Sequence, residues 1–407
     1  MRVGWAEDRR WVALGLAFIA YGLGSAPAPP GIRLQELLVF VGIAVCAGLA
    51  VPWRFLSGLA VARGPAVLGI GSAIMVWLFW QGLVRGLWNG WGLTDMVRDI
   101  VPMMFLALPL LLAPALAHLP DRSADRLADA AAMGGVALAM RWWLDAGMAL
   151  SAVGSAPLGE GRDYLLNSAL IPFASVWLGL RGMDGLAMGT GWFRRVPALL
   201  ALAGAACCLL AQAATLHRAG LGLSLLALLA GLALPLWRLV VRRPVWLVLG
   251  LFLLALFLLV IREPLAGVAG LLADKTQAVG LNNRADEFLA VLDQMGRSPV
   301  AFLFGDGWGA LVANPAVGWW RVSYTHSAAS YFLLKLGAVG LALVVIYAGL
   351  LAGLVVRSPA VPMRLLLAAT PSLLLGLLLH TSFKYICFSM IISLVAGRAL
   401  SGLYKRI

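Results

Sequence analysis

Residues 324–340 read "YTHSAASYFLLKLGAVG", and the apolar run that begins there continues to about residue 355. A helix of roughly 17–25 predominantly apolar residues spans a bilayer, so His326 stands at the threshold of a membrane-length segment. Similar runs recur from one end of the chain to the other. Helices are expected near 11–28, 37–53, 66–84, 100–119, 130–150, 165–180, 196–216, 219–237, 245–261, 327–355, 363–380 and 384–402. The expected fold is therefore an all-α polytopic membrane protein of about twelve transmembrane helices, with residues 1–407 forming a single integral membrane domain. Composition agrees. Of 407 residues, 62% are hydrophobic and 12% charged, too few charges to cover a soluble protein of this size. The first apolar run leads into Pro29 and Pro30 without a small-residue cleavage site, and reads as a retained helix.

The net charge of +13 would suggest nucleic acid as a partner in a soluble protein. Its distribution argues for topology instead. Both termini and the loops after even-numbered helices hold most of the basic residues, among them Arg9, Arg10, Arg54, Arg63, Arg122, Arg126, Arg194, Arg195, Arg242, Arg243 and Arg357. The positive-inside rule then puts both termini in the cytoplasm, and no nucleic-acid partner is expected. Cys46, Cys207, Cys208 and Cys387 all fall inside expected helices without metal-ligand spacing. No metal site and no cofactor are expected.

One connection is long: about 262–326, between the ninth and tenth helices and on the outer face. Long ordered loops in compact proteins are usually functional. Within it, "RADEFLAVLDQM" (284–295) has apolar residues at helical spacing and reads as an amphipathic helix lying along the membrane surface. "FLFGDGWG" (302–309) reads either as a turn whose amides cradle an anion or as a simple turn. Polar residues also gather at the outer ends of other helices: Arg85, Arg98, Asp99, Arg162, Asp163, Arg218, His380 and Lys384, with Arg141 and Asp145 placed to pair at i,i+4. A lone arginine at such a boundary can simply reach the headgroups, so a site is argued from the convergence of these residues on one face. Taken at 100° per residue from His326, the positions Ser330, Leu333, Gly337 and Gly340 share one stripe, which small residues would open to a neighbouring helix. His326 then caps that stripe. A histidine bonded to a loop backbone is the alternative.

Three pieces occur in order: "TLHRAGLGL", then "NNRADEFLAVLDQMGRSPVAFLFGDGWG", then a histidine followed eleven residues later by Gly-x-x-Gly in "HSAASYFLLKLGAVG". This order, over about 210–345, resembles the O-antigen ligase and O-antigen polymerase superfamily of bacterial membrane glycan ligases and polymerases. The many-helix organisation extends the likeness to the whole chain. Two departures stand out: Ser327 follows the histidine where the family often has asparagine, and His217 precedes the first arginine where the family commonly has serine.

The resemblance implies a glycosyltransferase of the inner membrane, working at the periplasmic face beneath a loop, 262–326, that roofs the active site. The donor would be a glycan on undecaprenyl diphosphate. The acceptor would be lipid A–core for a ligase, the reading we favour, or another lipid-linked repeat for an O-antigen or exopolysaccharide polymerase. Membrane lipids and polysaccharide-assembly proteins are the other partners it implies. His326 matches the family's histidine, whose imidazole suits a base at neutral pH. Arg218 and Arg284 match the family's two arginines, which hold the diphosphate bidentately. Arg284 could instead pair with Glu287, three residues on. Direct inverting displacement without a metal is expected, since no carboxylate cluster with metal spacing is present. Arg162, Asp163, Arg321 and Tyr324 are candidates to line the substrate approach. From another class, a transporter or lipid-linked sugar flippase also fits many helices, but the sequence has no evident internal repeat.

Overall fold

The computed structural model describes residues 2–24, 34–47, 66–147, 167–188, 192–215, 217–242, 284–379 and 382–405, with the isolated positions 248, 259, 267 and 270. The described chain is predominantly helical: α1 (Arg2–Gly24), α2 (Leu34–Ala47), α3 (Ala66–Trp88), α4 (Leu93–Leu116), α5 (Asp121–Ala146), α6 (Leu170–Met188), α7 (Trp192–Ala214), α8 (Arg218–Arg242), α9 (Arg284–Gly296), α10 (Pro299–Phe304), α11 (Ala328–Val356), α12 (Met363–Leu374) and α13 (Ile386–Tyr404). One small antiparallel hairpin, β1 (Val312–Asn314) and β2 (Trp320–Val322), pairs Ala313 with Arg321. Five of the described helical stretches are long and apolar enough to cross a membrane: Ala66–Trp88, Leu93–Leu116, Arg195–Ala214, Ala328–Val356 and Ile386–Tyr404. Helices overlap every expected segment except 245–261, which lies almost wholly outside the described residues.

The chain divides into two compact units. The first comprises residues 1–28, 125–278 and 362–372. Its helices α6, α7 and α8 pack on one another. Gly135 of α5 lies against the Leu170 carbonyl of α6, where any side chain would collide, so these backbones approach as closely as small residues permit. Asp129 anchors the polar seam: it accepts the Trp177 indole N–H at 2.9 Å and pairs with Arg181 at 2.8 Å. Arg364 stacks 4.5 Å from the Trp177 ring centroid. The expected i,i+4 pair is present, with Arg141 Nε 3.4 Å from Asp145 Oδ2.

The second unit comprises residues 29–124, 279–361 and 373–407. Here α4 packs along α13, and α3 lies against both α4 and α11. The Tyr347 hydroxyl of α11 donates to the Leu106 carbonyl of α4 at 2.8 Å. On one end sit α9, α10 and the hairpin, joined to α11 by a core of Val291, Met295, Ala310, Val312, Leu333 and Leu334.

The turn at 305–309 explains how that end is fixed. Gly305, Gly307 and Gly309 all have positive φ, at 73°, 89° and 86°. Their amides do not face outward. Asp306 N–H donates to the Leu334 carbonyl, Gly307 N–H to that of Lys335, Trp308 N–H to that of Gly82, and Gly309 N–H to Asp99 Oδ2. Every one of these donors is taken by protein, so the turn is a wedge between α3, α4 and α11 and not an anion cradle. Trp308, fully buried, lies against Gly82 and donates its indole N–H to Phe79 O at 3.1 Å.

The wedge also breaks α11. The carbonyls of Leu334, Lys335 and Leu336 accept from Asp306, Gly307 and Gln81 respectively. At the break Gly337 adopts φ 66°, ψ −170°, a region essentially confined to glycine. The stripe expected to face a neighbouring helix is thereby corrected. Gly337 makes room for the backbone of residues 303–305, and helical phase cannot be carried from His326 across it. His326 is not on the helix at all, because Ser327 is the N-cap. Gly337→Ala should cost of order 1–3 kcal/mol from the backbone alone, and more from collision with Leu303 and Gly305. A lowered melting midpoint in detergent would show it; an unchanged one would mean that the break is not imposed by this packing.

Candidate active site

Glu287 organises the polar end of the second unit. It lies in the first turn of α9, 1% exposed, in line with Val291 and Met295 on the buried side of the helix. Its carboxylate accepts from four donors. The His326 backbone N–H reaches Oε1 at 2.7 Å, and His326 Nδ1 reaches Oε2 at 2.7 Å. Asn314 Nδ2 donates to Oε2 at 2.8 Å, and Ser330 Oγ to Oε1 at 3.4 Å. A carboxylate can only accept, so Nδ1 carries a proton, and Nε2 is the nitrogen that the dyad leaves for other partners. The ring is fixed at two points by one acid, while its side chain remains 30% exposed. A carboxylate that orients an imidazole and stabilises its protonated form is the logic of hydrolase triads.

The surroundings are built to hold this pair. Asn314 ends β1, fully buried, and its Oδ1 accepts from Ala316 N–H at 2.8 Å. The Ser327 hydroxyl accepts the Ser330 N–H at 3.1 Å and so starts α11 beside the ring. Burial pushes the Glu287 carboxyl up, but the His326 ring and backbone bonds, the charge of His326 and the Asn314 amide outweigh it and hold the group below its ordinary value. Its contribution to stability is thus complete above the ordinary carboxylate range and is lost as pH falls through the lowered folded value. Glu287→Gln should cost about 1.5–3 kcal/mol at neutral pH. Its gap to the parent in melting midpoint should close only in acid below that range; a gap that persisted there would mean that charge is not what Glu287 contributes.

Arg284 heads the same helix, three residues before Glu287, and so shares its side of α9. Tyr324 stands next to the dyad: its ring centroid is 6.1 Å from that of His326 at an interplanar angle of 77°. Arg321 is exposed on β2 with its guanidinium 5.9 Å from the Trp91 ring. Arg218 opens α8 in the first unit. Arg162, Asp163 and His380 lie outside the described residues. Beyond α9, an open groove of about 650 Å³ runs between this helix and the hairpin, with Asp286, Asp293, Gln294 and Trp319 among its lining. Trp319 has φ 67°, uncommon for a residue with a large side chain.

Deeper in the unit is a second polar cluster. Asp99 of α4 and Lys335 of α11, 3% and 0% exposed, pair at 2.6 Å. The Tyr331 hydroxyl donates to Asp99 Oδ1 at 3.0 Å, and Lys335 Nζ also donates to the Ala310 carbonyl. In the sequence Asp99 stands out only as a loop-flanking charge and Glu287 only as a possible partner of Arg284. Signals for both were present. A lysine inside "YFLLKLG" requires a buried acid, and a glutamate in phase with Val291 and Met295 is an acid on the buried face.

A scan against models of known protein families gives no match to this chain. A search of curated proteins gives none either.

Proposed function

We propose that the protein is a bacterial inner-membrane glycosyltransferase of the O-antigen ligase and polymerase kind, acting on a donor glycan carried by undecaprenyl diphosphate. The observation that carries the reading is the dyad. A part-exposed imidazole, with a proton on Nδ1 and Nε2 turned away from the acid, is held by a buried carboxylate at the mouth of an apolar helix. In the proposed reaction a sugar hydroxyl attacks the anomeric carbon of the donor. The bond from that carbon to the diphosphate oxygen breaks, and its electron pair leaves on undecaprenyl diphosphate. The hydroxyl proton passes to His326 Nε2, with configuration inverted. Arg284, on the same side of α9 as Glu287, stabilises the charge gathering on the leaving group. Trp319 and the carboxylates of the adjoining groove offer sugar rings an aromatic face and hydrogen-bond acceptors.

In this reading about twelve helices cross the inner membrane, with both termini cytoplasmic and residues 262–326 on the periplasmic side. The acceptor we favour is lipid A–core, which makes the protein an O-antigen ligase; a second lipid-linked repeat would make it a polymerase. The test is transfer by purified protein in nanodiscs, with an undecaprenyl-diphosphate-linked oligosaccharide and each acceptor in turn. Extension of lipid A–core supports the ligase, and growth of the lipid-linked glycan moves the assignment to polymerase. Donor left intact with both acceptors, by protein that is folded, overturns the transferase reading.

A further inference from the structure

Among the charged side chains that the second unit buries, Lys384 belongs to neither the His326–Glu287 dyad nor the Asp99–Lys335 pair. Lys384 closes the short helical turn Ser382–Lys384 just before α13. The preceding Phe383 is fully buried, its ring centroid 5.4 Å from that of Tyr331 and 5.2 Å from that of Phe332. The turn is therefore clamped to the start of α11, the helix that His326 immediately precedes. Lys384 is 7% exposed, and its ammonium lies 4.0 Å from the centroid of the Tyr331 ring. Among the described residues no carboxylate stands within ion-pair distance of that ammonium, whose near contact is the Tyr331 ring.

An ammonium withdrawn from water needs more than a ring face. The cation–π attraction returns only part of its lost hydration. The acids nearby are committed elsewhere: Asp99 to Lys335, Tyr331 and the Gly309 amide, Glu287 to its own four donors. Burial accordingly pushes the Lys384 ammonium down to about 7; Asp99 draws it up, Lys335 pushes it down, Glu287 draws it up and Arg98 pushes it down. A lysine kept for stability would have been given a partner. One kept without an acid partner, against the Tyr331 ring near the start of α11, is placed for a partner that arrives.

We infer that Lys384 is an anion ligand, which binds a diphosphate oxygen of the lipid-linked substrate beside the His326 dyad. The inference rests on the reading of the chain as a diphosphate-dependent transferase. It adds a cation from the turn before α13 to the arginine at the head of α9. A diphosphate oxygen would supply the anionic partner that Lys384 lacks among the described residues. It would also hold the amine charged, so substrate binding draws a proton.

The probe is undecaprenyl diphosphate, titrated calorimetrically into full-length protein in nanodiscs, in two buffers of different ionisation enthalpy. At pH 8 most Lys384 amines are neutral before binding, so the parent should take up close to one proton. Uptake should fade by pH 6, where the amine is already charged, and affinity should weaken as pH rises from 7 to 9. Lys384→Met should bind about 10–100-fold more weakly, the worth of a hydrogen bond to a charged group, and lose most of the uptake. Lys384→Arg should retain most of the affinity without the uptake. Ligand-free Lys384→Met should melt no lower than the parent, because it removes a buried charge that has no counter-ion. Unchanged affinity in Lys384→Met, or a midpoint several degrees lower, would overturn the inference and leave the transferase reading standing. A parent that does not bind undecaprenyl diphosphate would overturn both.

Discussion

His326→Ala is expected to lower the rate of glycan transfer by about 10²–10⁴, the usual worth of general acid–base catalysis, in protein that still folds. The geometry lets the two effects be separated. Removing the ring deletes one of the four donors to Glu287, but the residue-326 backbone N–H, Asn314 and Ser330 remain. The buried carboxylate stays largely satisfied, and the expected loss of stability is that of one charged hydrogen bond, about 1.5–3 kcal/mol. His326→Gln sharpens the comparison, since its amide can still donate to Glu287 while offering no useful base. Both variants should therefore fall together in single-turnover transfer at saturating donor and acceptor, with the glutamine form melting higher. Turnover near the parental rate in either, with the protein folded, would remove His326 from the role of base and return it to a histidine that merely ties a loop to a helix.

Much of the secondary structure was legible because apolar length is a direct signal. The expected helix at 327–355 is found at Ala328–Val356, and the amphipathic segment at 284–295 is α9. What was not legible depends on contacts distant in sequence. Nothing local marks Gly337 as a break. Its conformation follows from the carbonyls before it bonding to residues 306 and 307 and to Gln81. The three glycines of 305–309 looked equally suited to an anion or a turn, and only their acceptors decide. His326 was legible from its place before an apolar run, but its orientation was not, because Glu287 and Asn314 approach from a helix and a strand whose meeting no motif records. Tyr324 is expected from the sequence to line the substrate approach; the structure gives its ring centroid 6.1 Å from that of His326.

The Asp99–Lys335 pair gives the second large expected effect, and the two single substitutions should be unequal. Removing one partner of a buried ion pair typically costs about 3–5 kcal/mol, because the other charge is left uncompensated. Lys335→Met leaves Asp99 with the Tyr331 hydroxyl, the Gly309 amide and the attraction of Lys384, so it should fall at the low end. Asp99→Asn leaves Lys335 and Lys384 close enough to repel, with the acid that attracts both most strongly removed, and should fall at the high end or beyond. The double variant should be more stable than Asp99→Asn alone, since it removes one of the two stranded ammoniums while the asparagine oxygen still accepts from Gly309. The consequence reaches the dyad. Lys335 holds the Ala310 carbonyl and Asp99 holds the Gly309 amide, so the pair fixes the end of the wedge from which β1 runs on to Asn314. Loosening it should also weaken the grip of Asn314 on Glu287. Melting midpoints of the three variants in nanodiscs, compared with transfer rates measured well below them, would test both points. Equal costs for the two single variants, or a double variant less stable than either, would show that the charges of this cluster are not coupled as their positions imply.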